Sequence, residues 1–305
     1  MSARSWVQSA LVECCEGGDS CGFPGAAARG AWYTVNLDSL RGEGADLLCS
    51  TFHQSSEDQE THDFLIESAA LSDRLWLQLW HAVASAVLQL WTSKTTSNGL
   101  LHRGQMFLFS TAQLVSFLRN RAGGIALDLG AGDGNVGLRI RPLFSDVHVT
   151  EASASMRYRL GQKKFTVLPS LDSWTEPQHN YSVIFCLNLL DRVDQPISLL
   201  KQLHTKLLSS GGVLVLGVVL PWSQYCEFSP RGDPSPSQPI QLTGSSRFES
   251  QARALYTDIL IPSGFKLIRW TRLPYLCQGD LQRPFYQLSN ALFLLEPVNS
   301  NISVN

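Results

Sequence analysis

This 305-residue chain has no long run of lysine or arginine, and its 24 basic and 26 acidic side chains leave a formal net charge of −2. Phosphate backbones reward clustered positive charge, so a large nucleic-acid footprint is not expected, although a small local RNA contact stays open. The seven cysteines, Cys14, Cys15, Cys21, Cys49, Cys186, Cys226 and Cys277, are odd in number and irregular in spacing. That argues against a disulfide scaffold. Cys14-Cys15 with Cys21 has no second ligand pair at a zinc-like spacing, so no metal site is expected. The opening Met1-Ser-Ala-Arg-Ser-Trp-Val7 lacks the apolar stretch of a signal peptide, and a cytoplasmic location is expected, with endoplasmic reticulum or mitochondrial association as the alternative. No apolar run reaches the ~20 residues of a spanning helix. The nearest is Leu75–Trp91, where Gln78, His81, Ser85 and Gln89 share one helix face. This predicts a helix with a broad apolar face and a narrow polar stripe. It is expected to pack on the domain, with attachment to a membrane surface as the second reading. His81 is expected to be a satisfied residue on the stripe and not a ligand.

What is present is enough for a large core: 44% of residues are hydrophobic and 16% charged, which excludes a disordered protein. The length suits one large domain or a domain with an appendage. Residues 1–60 read as a variable segment with a flexible Gly/Ala-rich entry at Gly17–Gly30. Residues 61–122 read as a helical extension, 123–297 as the core and 298–305 as a tail. In the extension, Ser72 is the expected cap of the Trp-rich helix, Ser97-Asn-Gly99 its stop, and Ser110 the cap of a helix over Thr111–Leu118. Gln105–Phe109 reads as a short strand or a packed lead-in. From Gly123 onward strands and helices alternate. Strands are expected at about 125–129, 146–151, 165–168 and 181–187. A helix opens at Asp194-Gln-Pro196, with Pro196 in the first turn, and stops at Gly211-Gly212. Val213–Leu220 reads as a central strand covered on both faces. Trp222–Ser246 is a long Pro/Ser loop suited to a lid or substrate wall, and a helix follows at 248–260. Phe265–Thr271 and Ala291–Leu295 close the order as an edge hairpin, separated by Leu273–Ser289, a loop or hairpin that contains Pro274 and Pro284. This is a doubly wound sheet.

Ile125-Ala-Leu-Asp-Leu-Gly-Ala-Gly-Asp-Gly134 is the most informative stretch. Apolar residues lead into Asp128 and then into a glycine turn, as in a buried parallel strand that ends at a ligand site. Gly130, Gly132 and Gly134 would let the backbone approach a bound molecule. The aspartates would repel a pyrophosphate, whereas a cationic ligand such as S-adenosylmethionine suits them. Glu151 ends the next strand, 23 residues after Asp128, where an acid can take both hydroxyls of a ribose. NAD enzymes use the same device, so Glu151 points to adenosine more firmly than to a methyl donor. Asn188 and Asp191 follow the strand at 181–187 and fall in the crevice beyond the strand ends, beside the glycine turn. One carboxylate and one amide there could hold an amine or imidazole. Alternatively, Asn188 stops the strand and Asp191 caps a turn.

Several segments together are similar to the DREV family of class I methyltransferases, over roughly residues 60–297. They are Thr92-Ser-Lys94, Asn98-Gly-Leu-Leu-His-Arg-Gly104, Met106-Phe-Leu-Phe-Ser110, Leu127-Asp-Leu-Gly-Ala-Gly-Asp-Gly134 and Thr150-Glu151. The most specific are Cys186-Leu-Asn-Leu-Leu-Asp-Arg192 with Asp194-Gln-Pro196, and Thr271-Arg-Leu-Pro-Tyr-Leu-Cys277 with Gly279-Asp280. The resemblance implies an α/β fold with a doubly wound, mostly parallel seven-stranded sheet, Rossmann-like, behind an N-terminal helical extension. It implies methyl transfer from S-adenosylmethionine, without a metal, to the pros nitrogen of histidine in His-x-His segments of proteins, x being small. The implied donor set is Asp128, Gly130, Gly132, Glu151 at the ribose, Asn188 between donor and substrate, and Tyr275 as a donor-side aromatic. The implied catalytic set is Asp191 on the substrate histidine, Asn188, and Tyr286 as a substrate-pocket aromatic. The expected protein is a monomer whose partners carry His-x-His segments, with no nucleic acid. Two features depart from the family. Gln282-Arg-Pro-Phe285 stands where the family tends to have more tyrosine and acid, which would alter peptide preference. The hydrophobic leader of its best-known members is not seen. The alternatives are a small-molecule or RNA methyltransferase of the same fold, and a donor-binding scaffold that meets partners through its Trp-rich helix.

Overall fold

The structure, a computed structural model, describes residues 24–88, 101, 103–226, 232–280 and 282–299. Cys14, Cys15, Cys21, Gln89, Trp91, the stop at Ser97–Gly99 and part of the Gly17–Gly30 entry lie outside the described residues. Eight strands form one sheet: β1 (Met106–Phe107), β2 (Ile125–Leu129), β3 (Asp146–Thr150), β4 (Thr166–Val167), β5 (Val183–Leu187), β6 (Val213–Leu220), β7 (Phe265–Gln278) and β8 (Phe285–Pro297). Their order is β1-β7-β8-β6-β5-β2-β3-β4. The β6-β5-β2-β3-β4 half is parallel, and β8, β7 and β1 add antiparallel. The doubly wound, mostly parallel sheet expected from the sequence is therefore present. The eighth strand is β1, the two-residue form of the Gln105–Phe109 lead-in.

The continuous apolar runs of β2, β5 and β6 still alternate, because each face of the sheet buries its own residues. Leu127, Ile184, Cys186, Leu214 and Leu216 face one core with Leu200, Leu203 and Leu207. Ala126, Val183, Phe185, Val213 and Val215 face the other with Leu114, Phe117 and Ile140. The helices include α1 (Ala26–Gly30), α2 (Ala45–Thr51), α3 (Gln59–Ser72), α4 (Leu75–Leu88), α5 (Thr111–Leu118), α6 (Gly137–Ile140), α7 (Ala154–Gln162), α8 (Pro196–Ser210) and α9 (Phe248–Ala254), of which α2, α5, α6, α7, α8 and α9 contribute residues to these two cores. Pro196 opens α8, where its missing N–H has no partner to lose, and Gly211 closes it in the left-handed region at φ 68°. α9 runs on as a π-helical turn over Leu255–Leu260, with Ile261 N–H donating to the Tyr256 carbonyl at 2.9 Å. The segment before Gln59 joins the core as well. Leu48 is buried, and its carbonyl accepts from Trp270 Nε1 at 2.7 Å.

Three expectations are corrected. First, of the two readings of Leu273–Ser289, loop or hairpin, the hairpin is present, and the strands are longer than expected: Leu273–Gln278 and Phe285–Ser289 are strand. Pro274 is tolerated because of where its nitrogen points. Gln278 N–H donates to Gln105 at 2.8 Å across the β1 edge, so residues 276 and 274 face that edge too. β1 reaches only Leu276 and Cys277, and the next contact on that side is the Phe52–Trp270 bridge. Pro274 lies in the gap, where no ladder bond is lost. Second, Ser72 does not cap α4. It ends α3, and its hydroxyl donates to the Ala69 carbonyl at 2.8 Å. Third, α4 packs the other way round. Gln78, His81 and Ser85 are buried, while Trp76 is 84% and Trp80 63% exposed, with Leu75, Leu79, Val83 and Val87 also outward. The buried polar face is held by specific bonds: Gln78 Nε2 donates to the Leu71 carbonyl at 2.9 Å, which closes the corner between α3 and α4. His81 is not fully satisfied, since its Nδ1 has no partner among the described residues. No helix of the described residues is long and apolar enough to cross a membrane.

The expected cap at Ser110 is present as a full capping box with Gln113. Asp58 joins that helix start to another. One of its oxygens accepts from Thr61 N–H at 3.1 Å and caps α3, while the other accepts from the Ser110 hydroxyl.

Candidate active site

The carboxyl ends of β2, β3 and β5 meet at a cleft with about 780 Å³ of empty space, its open mouth included. The glycine turn after β2 forms one wall. It is pinned from β3: Ala131 N–H donates to the Thr150 carbonyl at 3.0 Å, and Gly132 N–H to Glu151 Oε2 at 2.9 Å. The other Glu151 oxygen accepts from Ser153 N–H at 2.8 Å. All three glycines of the turn have positive φ, but their missing side chains serve different purposes. A Cβ at Gly134 would come within 2.9 Å of Phe165 and 2.7 Å of Leu160, so this glycine lets the turn pack on the core. A Cβ at Gly132 would meet nothing within 4 Å, on backbone that lines the cleft. Gly132 is thus the place where bare backbone faces open space that a ligand can fill.

Of the residues singled out in the sequence, Asp128, Gly130, Gly132, Asn188 and Tyr275 line the cleft. Glu151 and Asp191 are not in the lining; Glu151 stands behind Gly132 at the end of β3. Asp128 is buried at the floor. Burial, followed by the neighbouring negative charge of Glu151, raises its pKa to about 7. Asp133 is committed to the turn itself: its carboxylate accepts from Asn135 N–H at 3.0 Å and Asn135 Nδ2 at 2.6 Å, with Arg159 at 4.0 Å.

Asn188 follows β5 in a left-handed conformation, φ 53°, uncommon for a side chain with a Cβ and tolerated best by asparagine. Its N–H donates to the Gly217 carbonyl at 2.8 Å, so the backbone turns only after completing a bond to β6. Asp191 comes next and is 4% exposed. Its Oδ2 lies 3.1 Å from Arg192 Nε, while its Oδ1, also buried, has no partner among the described residues. Burial pushes this carboxyl above the usual carboxylate range, against the pull of the Arg192 guanidinium. The long loop is anchored here. Tyr225 N–H donates to the Asp191 carbonyl at 2.9 Å, and the N–H and hydroxyl of Ser237 both donate to the Asp194 carboxylate. Its described parts therefore lie against the segment that follows β5, and none of them is in the cleft lining.

Tyr275 reaches the cleft from β7, with its hydroxyl on Met106 Sδ of β1. Packing around the phenol pushes its pKa up, and Asp191 and Arg192 are among the charges that act on it. Tyr286 is placed differently. It faces Cys277 across the hairpin and shares the face of Tyr275. Its hydroxyl donates to Asp280 at 2.9 Å, and it does not line the cleft. Burial, then that carboxylate, pushes its pKa up to about 12. Residues absent from the sequence reading also contribute. Arg103, Met106 and Met156 line the cleft, and Asn290 of β8 donates to Asn188. Arg103 and Met106 sit inside segments that carry the family resemblance, so a signal for them existed. Nothing local marks Asn290 in its apolar strand.

A doubly wound sheet with a glycine turn, a buried acid at its floor and an acid closing the neighbouring strand gives the Rossmann-like architecture of class I methyltransferases, which other nucleotide-binding enzymes share. The DREV methyltransferase family model matches residues 32–297, and the chain belongs to that family. It is an S-adenosylmethionine-dependent methyltransferase. Among solved structures the chain is similar to magnesium protoporphyrin IX methyltransferase of Synechocystis PCC 6803, solved with bound donor. That match has 16% identity over 61% of this chain and 77% of that one, with a TM-score of 0.38. It is also similar to the N-methyltransferase NodS of Bradyrhizobium japonicum, at 15% identity over 62% and 86%, TM-score 0.40. A S-adenosylmethionine-dependent methyltransferase of Leishmania major matches at 14% identity over 60% and 68%, TM-score 0.39.

Proposed function

We propose that this protein methylates the pros nitrogen of histidine in His-x-His segments of proteins, x being a small residue. The observation that carries the reading is the Asp191 carboxylate. It is buried, held on one oxygen by Arg192, and has its other oxygen without a partner among the described residues. A buried acceptor of this kind suits a ligand N–H, because leaving it unmet costs about 1–3 kcal/mol. The resemblance at Cys186–Arg192 and Thr271–Cys277 supports histidine as the source of that N–H.

The glycine turn fits the donor through the open space over Gly132. Asp128 faces its cationic part, Glu151 keeps a lone pair on each oxygen for ribose hydroxyls, and Tyr275 packs at its side. When bound, the donor supplies a methyl group on a sulfonium, and displacement there needs little covalent help from the protein. The work left to this chain is to present a neutral ring nitrogen in line. Asp191 accepts the tele N–H of the imidazole, which fixes the tautomer with its lone pair on the pros nitrogen. As the methyl–nitrogen bond forms and the ring gains positive charge, the same carboxylate stabilises it. The spare proton then leaves by way of Asp191 or solvent. Tyr286 and the departing segment Gln282–Phe285 act on the residues flanking the target.

The test is a peptide panel with labelled donor, read by mass spectrometry with fragment-level site assignment. His-Ala-His should be methylated, and His-Leu-His should be poorer by about tenfold or more through overlap at the central residue. Asp191→Asn should lose transfer by on the order of a hundredfold while retaining donor affinity. Methyl groups on lysine or arginine with histidine untouched, or an Asp191→Asn variant at the wild-type rate, would overturn the reading.

A further inference from the structure

Asn290 is fully buried in a strand whose following residues, Ala291 to Leu295, are all apolar. It pairs with Val219 on one side and Leu273 on the other. Its Nδ2 donates to Asn188 Oδ1 at 2.6 Å. The two amides meet across β6 at Gly217, where an added Cβ would lie 3.5 Å from Asn290 Oδ1 and 3.2 Å from Leu187. Asn188 lines the cleft and Asn290 does not. The bond therefore runs from beneath the site to a residue inside it.

The direction of this bond has a consequence. With its Oδ1 engaged below, Asn188 keeps its NH2 as the group free to face the cleft. Reversing both amides would turn the Asn188 carbonyl outward and leave the buried Asn290 NH2, with two hydrogens, in the place where Oδ1 now has no partner among the described residues. An orphaned amino group is worse than an under-used carbonyl oxygen, so the orientation with Asn188 donating into the cleft is favoured. We propose that Asn290 is a positioning residue that fixes Asn188 as a hydrogen-bond donor toward an acceptor oxygen in the methyl-transfer site. That oxygen is either the carboxylate of the donor or a main-chain carbonyl of the substrate. The proposal rests on the methyltransferase reading of the cleft but not on histidine as target.

Asn290→Leu removes the bond and keeps the number and branching of the side-chain heavy atoms. It also removes an unpaired buried oxygen, so thermal unfolding should be unchanged or shifted upward. Transfer should nevertheless fall on the order of tenfold or more in kcat/KM, measured with whichever peptide of a mixed histidine, lysine and arginine panel the wild type methylates. If the oxygen belongs to the donor, calorimetry with S-adenosylmethionine should show weakened binding. If it belongs to the substrate, donor binding stays constant and the peptide KM rises. Asn290→Ala serves as the second variant should leucine misfold. The decisive arm is the pair with Asn188→Ala. The double variant should be no slower than Asn188→Ala alone, because Asn290 acts only through Asn188. Wild-type kinetics in Asn290→Leu and Asn290→Ala, or losses that multiply in the double variant, overturn the proposal. A wild type that methylates lysine instead would end the histidine reading and leave this test intact.

Discussion

The residue whose charge matters most at neutral pH is Asp128. A buried carboxyl raised from 3.8 to about 7 is protonated in the folded chain over a range where the unfolded chain is ionised. The folded state then binds more protons, so stability falls as pH rises from about 4 to about 7 and levels off above that. Three pKa units correspond to about 4 kcal/mol at most. A cationic ligand works against this, because it favours the ionised form. Affinity for S-adenosylmethionine should therefore rise severalfold between about pH 6 and about pH 8, and Asp128→Asn should flatten the rise while making the free protein more resistant to urea at the upper pH. Calorimetry at both pH values checks it, and an unchanged slope in the variant would remove Asp128 from the donor site. The sequence marked this acid by its place before the glycine turn. Its protonation needed the fold, because both burial and the nearness of Glu151 arise from β3 lying beside β2.

Among the elements, α4 shows how far periodicity can be trusted. The pattern of Gln78, His81 and Ser85 separates two faces correctly, and a hydrophobic stripe normally turns inward. Here the polar stripe is inside, since Gln78 is needed to close the corner on Leu71 and Arg103 reaches the His81 carbonyl at 3.5 Å. Those bonds join residues that only the path of the chain brings together. The outward face makes a simple prediction. Trp76→Ser with Trp80→Ser should change unfolding free energy by no more than about 0.5 kcal/mol, as for other exposed positions, whereas Gln78→Leu should cost about 1 kcal/mol by removing the bond that closes the corner between α3 and α4. Chemical denaturation of the three chains checks it. A large loss on removing the tryptophans would mean that the face is covered in the folded protein. The same limit of local reading affected β7. The strand expected to end at Thr271 runs on through Pro274, which is allowed because β1 is too short to need its N–H.

For the molecule as a whole, the helices before the sheet are fastened at several points, among them Leu48 on Trp270, Ser55 on Thr271 and Asp58 on Ser110. Asp58→Ala removes the cap of α3 and the acceptor of the Ser110 hydroxyl at once. The expected loss is about 2–3 kcal/mol, or on the order of 5 °C in the unfolding midpoint. A midpoint unchanged by calorimetry would show that the joint carries no weight. The sequence by itself determined the sheet's parallel half, the glycine turn and the places of Asp128 and Glu151 beside it, because each is written in consecutive residues: apolar runs of strand length, then a turn rich in glycine. It also determined the family, through segments that survive as strings. Tertiary structure alone decided which face of α4 turned inward, how far β7 and β8 extend, and that Asn290 stands under Asn188, 102 positions away in the chain. These depend on which backbone groups remain unpaired after the strands assemble, and that is a property of neighbours in space.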